Sequence, residues 1–134
     1  MTDYRWSCDI TTRWSDNDLY GHVNNVVYYS YFDTAANTFL IAHGLDIHAG
    51  SVIGLVVESQ CNYHAPVAFP TPLRAGVRVD KLGNRAVTYG IGIFAGDTLA
   101  ASGHFVHVFV DRATRTPTPI PATLRAALET LAVR

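Results

Sequence analysis

Cysteine is scarce in this chain: Cys8 and Cys61 are the only two among its 134 residues. Two cysteines cannot build a disulfide framework of several bridges, and these two are not spaced as a metal-binding motif. We therefore expect both thiols to be reduced and buried, as is usual for free cysteines in a cytoplasmic protein.

Excess charge of one sign and long apolar runs are also missing. The net charge is −1, charged residues make up 16% of the chain, and aromatic residues make up 11%. This composition argues against disorder and against a broad nucleic-acid-binding surface. No apolar run is long enough to span a bilayer, and no leader or lipidation signal is evident. We expect one domain over residues 1–134, soluble and cytoplasmic, without nucleic-acid or membrane partners.

Several catalytic and metal-binding motifs are absent as well. There is no Gly-x-Ser-x-Gly nucleophile turn and no glycine-rich nucleotide-binding loop. The histidines have no paired ligand spacing, and the last two face opposite sides of a predicted strand. They are His22, His43, His48, His64, His104 and His107. The segment from Asp16 to Gly21 opens like a calcium loop, but Val27 stands where a bidentate glutamate is required. We expect neither a metal nor a cofactor.

The apolar periodicity predicts an α+β domain. A first strand is predicted over residues 4–14, and further strands over residues 55–63, 73–82, 86–94 and 99–110. Short turns join the last three strands, which therefore form an antiparallel meander. Between the first two strands, residues 25–43 repeat apolar side chains at helical spacing, with Asn24 or Asn25 as cap and Gly44 as terminator. We expect the sheet to wrap round this helix, and a short helix carrying Leu124 and Leu128 to follow.

The turn before the long helix carries the chemistry. Asp16 and Asp18 alternate in extended backbone, so only one of them is expected to face a pocket. The bland alternative is that both simply form or cap the turn. Free N–H groups at the following helix start can stabilise an anion, which together with a carboxylate is the minimum for acyl transfer. His22 either shapes the turn or pairs with Asp18 as the acid–base couple of a hydratase or dehydratase.

Residues 13–25 read Arg-Trp-Ser-Asp-Asn-Asp-Leu-Tyr-Gly-His-Val-Asn-Asn, and a tyrosine-rich helix start follows at 28–33. Together with residues 106–111 and 119–121, this pattern resembles the 4-hydroxybenzoyl-CoA thioesterase family of hotdog-fold acyl-CoA thioesterases. The resemblance implies a hotdog fold of about five antiparallel strands round a long helix, with a short C-terminal helix. It also implies a homodimer whose sheets pair edge to edge, often within a homotetramer, with active sites at the dimer interface.

The resemblance implies roles residue by residue. It assigns the catalytic carboxylate to Asp18, as nucleophile or general base, and the oxyanion donor to the backbone N–H of Asn25. Gly21 is the turn glycine, which lets the chain pass close to the acyl group. Because His22 begins the His-Val-Asn-Asn run of the general acyl-CoA branch, a 4-hydroxybenzoyl substrate is not implied. The alternatives are the hydratase that uses Asp18 and His22, and a non-catalytic module that binds acyl-CoA.

Substrate contacts beyond the turn are less specific. Coenzyme A phosphates need cations, and the candidates near turns or strand ends are Lys81, Arg85, Arg112 and Arg115, which would otherwise be ordinary surface charges. Tyr28 and Tyr31 are expected to pack the helix against the sheet; of the two, Tyr28, one turn into the helix, is the better pocket candidate. Asp33 is expected to face solvent or a subunit interface.

Overall fold

The computed structural model of the chain describes residues 3–133. In chain order its elements are β1 (Trp6–Ile10), α1 (Val27–Ala42), β2 (Val52–Tyr63), β3 (Leu73–Leu82), β4 (Ala86–Ala95), β5 (Thr98–Asp111) and α2 (Ala122–Glu129). The strands form one antiparallel sheet in the order β1-β3-β4-β5-β2. One long helix packed on a five-stranded antiparallel sheet, with a short C-terminal helix, is the predicted hotdog architecture. Strands β3, β4 and β5 form the predicted meander.

The first strand is shorter than predicted. It covers only Trp6–Ile10, and the chain then makes a 3-10 turn over Trp14–Asp16. The turn forms because the Asp16 carboxylate accepts a hydrogen bond from the Arg13 backbone N–H at 2.9 Å. Strand β2, by contrast, begins at Val52, earlier than predicted, because its pairing with β5 extends to Asp111.

Helix α1 begins and ends through local capping. It starts at Val27, two residues after the predicted start. Asn24 nevertheless caps the turn that leads into it, since its Oδ1 accepts the Val26 N–H at 3.1 Å and its backbone oxygen accepts the Val27 N–H at 2.9 Å. At the other end Gly44 has φ +106° and donates to the Ile41 carbonyl, while Leu45 donates to Leu40. This pair of bonds is a Schellman motif, so the predicted terminator is confirmed.

One face of α1 forms the core with the sheet. Its buried residues are Tyr28, Tyr31, Phe32, Ala35, Ala36, Phe39 and Leu40. The opposite face is exposed in this chain, including Asp33 and Thr34, and Ile41 is 47% exposed. Within one chain the sheet packs against one face of the helix, and the other face is exposed.

The two histidines of strand β5 lie in different surroundings. His107 on β5 lies inside the core, 1% exposed, and contacts the Tyr89 hydroxyl at 3.1 Å, whereas His104 points to the outer face and bonds Glu58. Their opposite orientation was predicted from the strand period.

Cys8 and Cys61 are half-buried, less enclosed than expected. Within residues 3–133, no helix is both long and apolar enough to cross a bilayer.

Candidate active site

The turn between β1 and α1 is a small hairpin held by its own backbone. The Asn24 N–H donates to the Asp16 carbonyl at 2.9 Å, and the Asp18 N–H donates to the His22 carbonyl at 2.9 Å. At its tip the Gly21 N–H closes a tight turn onto the Asp18 carbonyl at 3.1 Å. Gly21 has φ +86°, which a side chain would strain, and a Cβ there would meet no atom within 4 Å. The turn therefore needs glycine for its backbone conformation.

The two acids of the turn have different surroundings. Asp16 is fully buried, and its Oδ2 accepts hydrogen bonds from the Tyr31 hydroxyl at 2.7 Å and the Arg13 backbone N–H at 2.9 Å. Its Oδ1 accepts from the Arg13 guanidinium at 3.0 Å. Burial raises the pKa of Asp16, but the hydrogen bonds and the guanidinium outweigh it, so the pKa is held below its usual value. The pKa of Tyr31 is raised by burial and by the Asp16 carboxylate.

Asp18 instead borders an open cavity of about 370 Å³. Its Oδ1 accepts the Tyr20 N–H at 2.8 Å, a turn contact that fixes the side chain. Its Oδ2 accepts no hydrogen bond from the residues that the structure describes. The cavity is lined by Asp18, His22, Val23, Asn25, Tyr28, Tyr63, His64, Ala65 and Pro66. Four predicted site residues therefore meet at one cavity: Asp18, His22, Asn25 and Tyr28.

The turn that leads into α1 forms another part of the cavity wall. The Tyr63 hydroxyl donates to the Asn25 carbonyl at 3.0 Å and so orients the peptide that enters the helix. Among the hydrogen bonds within residues 3–133, none uses the Asn25 N–H. Backbone N–H groups at a helix start carry partial positive charge, which favours an anion nearby. Asp18 and Asn25, whose N–H makes no hydrogen bond within the described residues, thus line the same cavity.

Gly21 lies beside this cavity rather than in its lining. With Trp14, Asn17, Asp18 and Leu19 it borders a neighbouring depression of about 460 Å³, which shares Asp18 with the main cavity. Leu19 is fully exposed and Trp14 is 78% exposed. The tip of the turn therefore presents apolar side chains on one side of Asp18.

Part of the cavity wall was missed by sequence reasoning. Tyr63, His64, Ala65 and Pro66 come from the end of β2 and the loop after it, far from Asp18 in the chain. The Tyr63 ring meets Tyr28 edge to face, with centroids 5.3 Å apart, and the His64 Nε2 lies 2.8 Å from the Ser102 Oγ. The sequence predicted only that a strand ends in this segment. Nothing in the sequence indicates which strand end meets the helix start.

Lys81 and Arg85 lie elsewhere in the chain. They flank the β3–β4 hairpin, whose Ala86 pairs with Val108 on β5, whereas Tyr63 of the cavity pairs with Ala101. At about 3.3 Å per residue, these positions on β5 lie roughly 20 Å apart. Within one chain the hairpin is therefore distant from the cavity, and the role predicted for its two cations stays a prediction.

Arg112 and Arg115, the other predicted phosphate contacts, also lie outside the cavity lining. Arg112 is engaged in folding the loop before β2, since its side chain donates to the Gly50 carbonyl at 2.6 Å and the Ile47 carbonyl at 2.7 Å. Within residues 3–133, no three His, Cys, Asp or Glu side chains are grouped so as to hold a metal ion.

Comparison with known proteins gives the class. A sequence profile of the thioesterase-like superfamily matches residues 12–128. The chain therefore belongs to the thioesterase-like superfamily, and the matched segment contains the whole turn and cavity. This agrees with the resemblance at the level of the superfamily; membership of the narrower 4-hydroxybenzoyl-CoA thioesterase family stays a prediction.

Solved structures agree with this class. The PA5185 protein of Pseudomonas aeruginosa strain PAO1 is 53% identical, with a TM-score of 0.95 over 98% of this chain and 94% of that one. The PA2801 protein of Pseudomonas aeruginosa, a proposed thioesterase, is 28% identical, with a TM-score of 0.85 over 91% of this chain and 96% of that one. Among curated proteins, the uncharacterized protein YsmA of Bacillus subtilis (strain 168) is 24% identical over 65% of this chain. That match spans 59% of the length of YsmA.

Proposed function

We propose that this protein is an acyl-CoA thioesterase, which hydrolyses the thioester of a fatty or small acyl-CoA to the free acid and coenzyme A. The observation that carries the proposal is that Asp18 and Asn25 line one cavity, where the chain turns into the long helix. Membership of the thioesterase-like superfamily supports it.

In the proposed reaction the thioester carbonyl oxygen lies against the Asn25 N–H, where the helix start stabilises the negative charge that develops on it. Asp18 either attacks the carbonyl carbon, giving a mixed anhydride that water then cleaves, or removes a proton from an attacking water. In both routes the carbon–sulfur bond breaks and the thiolate leaves. Coenzyme A enters with the substrate, and no metal or other cofactor takes part.

A second candidate is a hydratase or dehydratase acting on acyl thioesters with Asp18 and His22. It is favoured by one observation: the two residues line the same cavity on either side of the turn. The predicted binding module without turnover is the third outcome that the experiment must separate.

We propose further that two copies pair edge to edge along β2, as the resemblance implies. Strand β2 is at the sheet edge and exposes Leu55, Val56 and Val57, by 37%, 45% and 60%. A long apolar edge is a site of strand pairing between chains. In an antiparallel pair, the β3–β4 hairpin end of one copy lies beside the cavity end of the other. Lys81 and Arg85 would then serve the cavity of the partner copy, where they meet coenzyme A phosphates.

The experiment measures release of free thiol from acyl-CoAs of short, long and aromatic acyl groups, for the wild type and Asp18→Asn. We expect turnover of at least one member and a loss of at least 10²-fold in Asp18→Asn, by analogy with the loss of one oxyanion donor. The matched control is Asp97→Asn, an exposed turn aspartate outside the cavity, which should keep wild-type turnover.

The other outcomes each reject a stated role. Full turnover in Asp18→Asn rejects Asp18 as the acting carboxylate. Hydration of an enoyl-CoA without thiol release supports the hydratase, with a matching loss in His22→Gln. Saturable acyl-CoA binding without either reaction supports the non-catalytic binding module.

A further inference from the structure

The Asp16 carboxylate joins two elements that each supply one side of the cavity. Its own turn carries Asp18, and its partner Tyr31 belongs to α1, which begins two residues after Asn25. The Tyr31 hydroxyl donates to Asp16 Oδ2 at 2.7 Å, and both residues are buried, at 5% and 0% exposure. This is a side-chain hydrogen bond directly between the turn and the helix.

Burying a carboxylate is unfavourable unless hydrogen bonds and a counter-charge satisfy it. Here both oxygens are used, Oδ2 by Tyr31 and the Arg13 N–H, and Oδ1 by the Arg13 guanidinium. The carboxylate of Asp16 therefore has one low-energy position. The backbone of the same residue accepts the Asn24 N–H at 2.9 Å, so a fixed Asp16 also fixes the residue just before Asn25.

The hydrogen bond also reaches the cavity wall. The Tyr31 ring meets the Tyr28 ring edge to face, with centroids 5.8 Å apart, and Tyr28 lines the cavity. Holding Tyr31 through its hydroxyl thus limits the rotation of the ring against which Tyr28 packs. The buried hydrogen bond between Tyr31 and Asp16 therefore connects the turn, the helix and the aromatic wall of the cavity. We call this hydrogen bond the anchor.

We propose that Asp16, acting through the Tyr31 hydroxyl, is a positioning residue that holds Asp18 at a fixed distance from the Asn25 N–H. This rests on the proposed function and goes beyond it, because neither residue lines the cavity. A group that only positions others affects turnover more than binding, since the bound substrate is held by different contacts.

The test begins with Tyr31→Phe, which removes only the hydroxyl. We expect kcat to fall on the order of 10²-fold, because a shift of about 1 Å between reacting groups has that effect. KM should change little, because Tyr31 does not line the cavity. Asp16→Asn should lose less kcat than Asp16→Ala, because its amide oxygen can still accept from Tyr31 and from the Arg13 N–H. Asp16→Ala should resemble Tyr31→Phe.

The control is Tyr89→Phe, which also deletes a buried tyrosine hydroxyl, here one that contacts His107. It should lower thermal stability and leave kcat unchanged. All rates are compared per folded molecule. The proposal is overturned if Tyr31→Phe lowers kcat no more than Tyr89→Phe does. It is equally overturned if Asp16→Asn loses as much kcat as Asp16→Ala, a test that remains if Tyr31→Phe does not fold.

Amide hydrogen exchange separates this proposal from the proposed function. Without turnover in the wild type, the thioesterase proposal fails, but the anchor can still be tested. Tyr31→Phe should speed exchange of the Asn24 and Asp18 amides, which are bonded within the turn, and Tyr89→Phe should not. Unchanged exchange at these amides in Tyr31→Phe would overturn the anchoring role.

Discussion

Asp16 and Asp18 lie two residues apart and face opposite sides of one turn: Asp16 is fully buried against Tyr31, and Asp18 borders the cavity. The alternation of side chains in extended backbone predicted that only one would face a pocket. Burial and three hydrogen bonds to its carboxylate assign Asp16 a structural role. Asp18 is left as the carboxylate that a ligand in the cavity can meet.

The histidine in the core makes stability depend on pH. Burial lowers the pKa of His107 from 6.5 to about 4. Below pH 6.5 the imidazole of His107 takes up a proton in the unfolded chain but not in the native state. The free energy of unfolding therefore falls as pH drops below 6.5, and this contribution is lost by about pH 4. A shift of this size corresponds to about 3 kcal/mol. Asp16, whose pKa is also lowered, adds a loss of stability at still lower pH.

Urea unfolding between pH 4 and pH 8 measures this effect for the wild type and His107→Gln. The variant keeps a polar side chain beside Tyr89 but cannot titrate, so its stability should vary less with pH across this range. Equal pH dependence in the two proteins would show that His107 does not carry the effect.

Gly21→Ala should weaken the turn without any steric clash. Gly21 has φ +86°, and a Cβ there meets no atom within 4 Å, so the effect comes from backbone strain of about 1–2 kcal/mol. We expect lower kcat/KM and a lower melting temperature. Gly21→Asn should lose less, because asparagine tolerates positive φ better than alanine. Thermal unfolding and thiol release on both variants check this, and equal effects would argue against backbone strain as the cause.

Val57→Lys should disrupt the proposed dimer. Val57 is 60% exposed on the edge strand, where the register between β2 and β5 shifts, and a charge at an edge opposes strand pairing. Light scattering after size-exclusion chromatography should give the mass of a dimer or tetramer for the wild type and a smaller mass for the variant. The control is Thr114→Lys, a charge in an exposed loop. An unchanged mass for Val57→Lys would place the interface elsewhere.

The double variant Lys81→Ala/Arg85→Ala tests the proposed phosphate contacts. Removing cations that bind coenzyme A phosphates should raise KM for acyl-CoA and leave kcat nearly unchanged. The increase should be larger at low salt, because exposed ion pairs are screened as salt is added. A short acyl thioester of N-acetylcysteamine, which has no phosphates, serves as control and should be used equally well by both proteins. An unchanged KM for acyl-CoA would show that Lys81 and Arg85 do not bind the coenzyme A phosphates.

The local features of this protein were determined by sequence. The periodicity of residues 25–43 predicted α1, Gly44 predicted its end, and the short turns predicted the β3–β4–β5 meander. The alternation of Asp16 and Asp18 predicted two environments. These features depend on hydrogen bonds and side-chain directions within a few residues, which the order of amino acids specifies directly.

Tertiary structure decided which distant segments meet. It brought the end of β2, with Tyr63 and His64, to the helix start, and it moved the β3–β4 hairpin with Lys81 and Arg85 to the other end of β5. Tertiary packing also determines that Asp16 is the buried acid, because only the packed helix places the Tyr31 hydroxyl 2.7 Å from the Asp16 carboxylate. Such contacts depend on strand order and packing over the whole sheet, which no local pattern encodes.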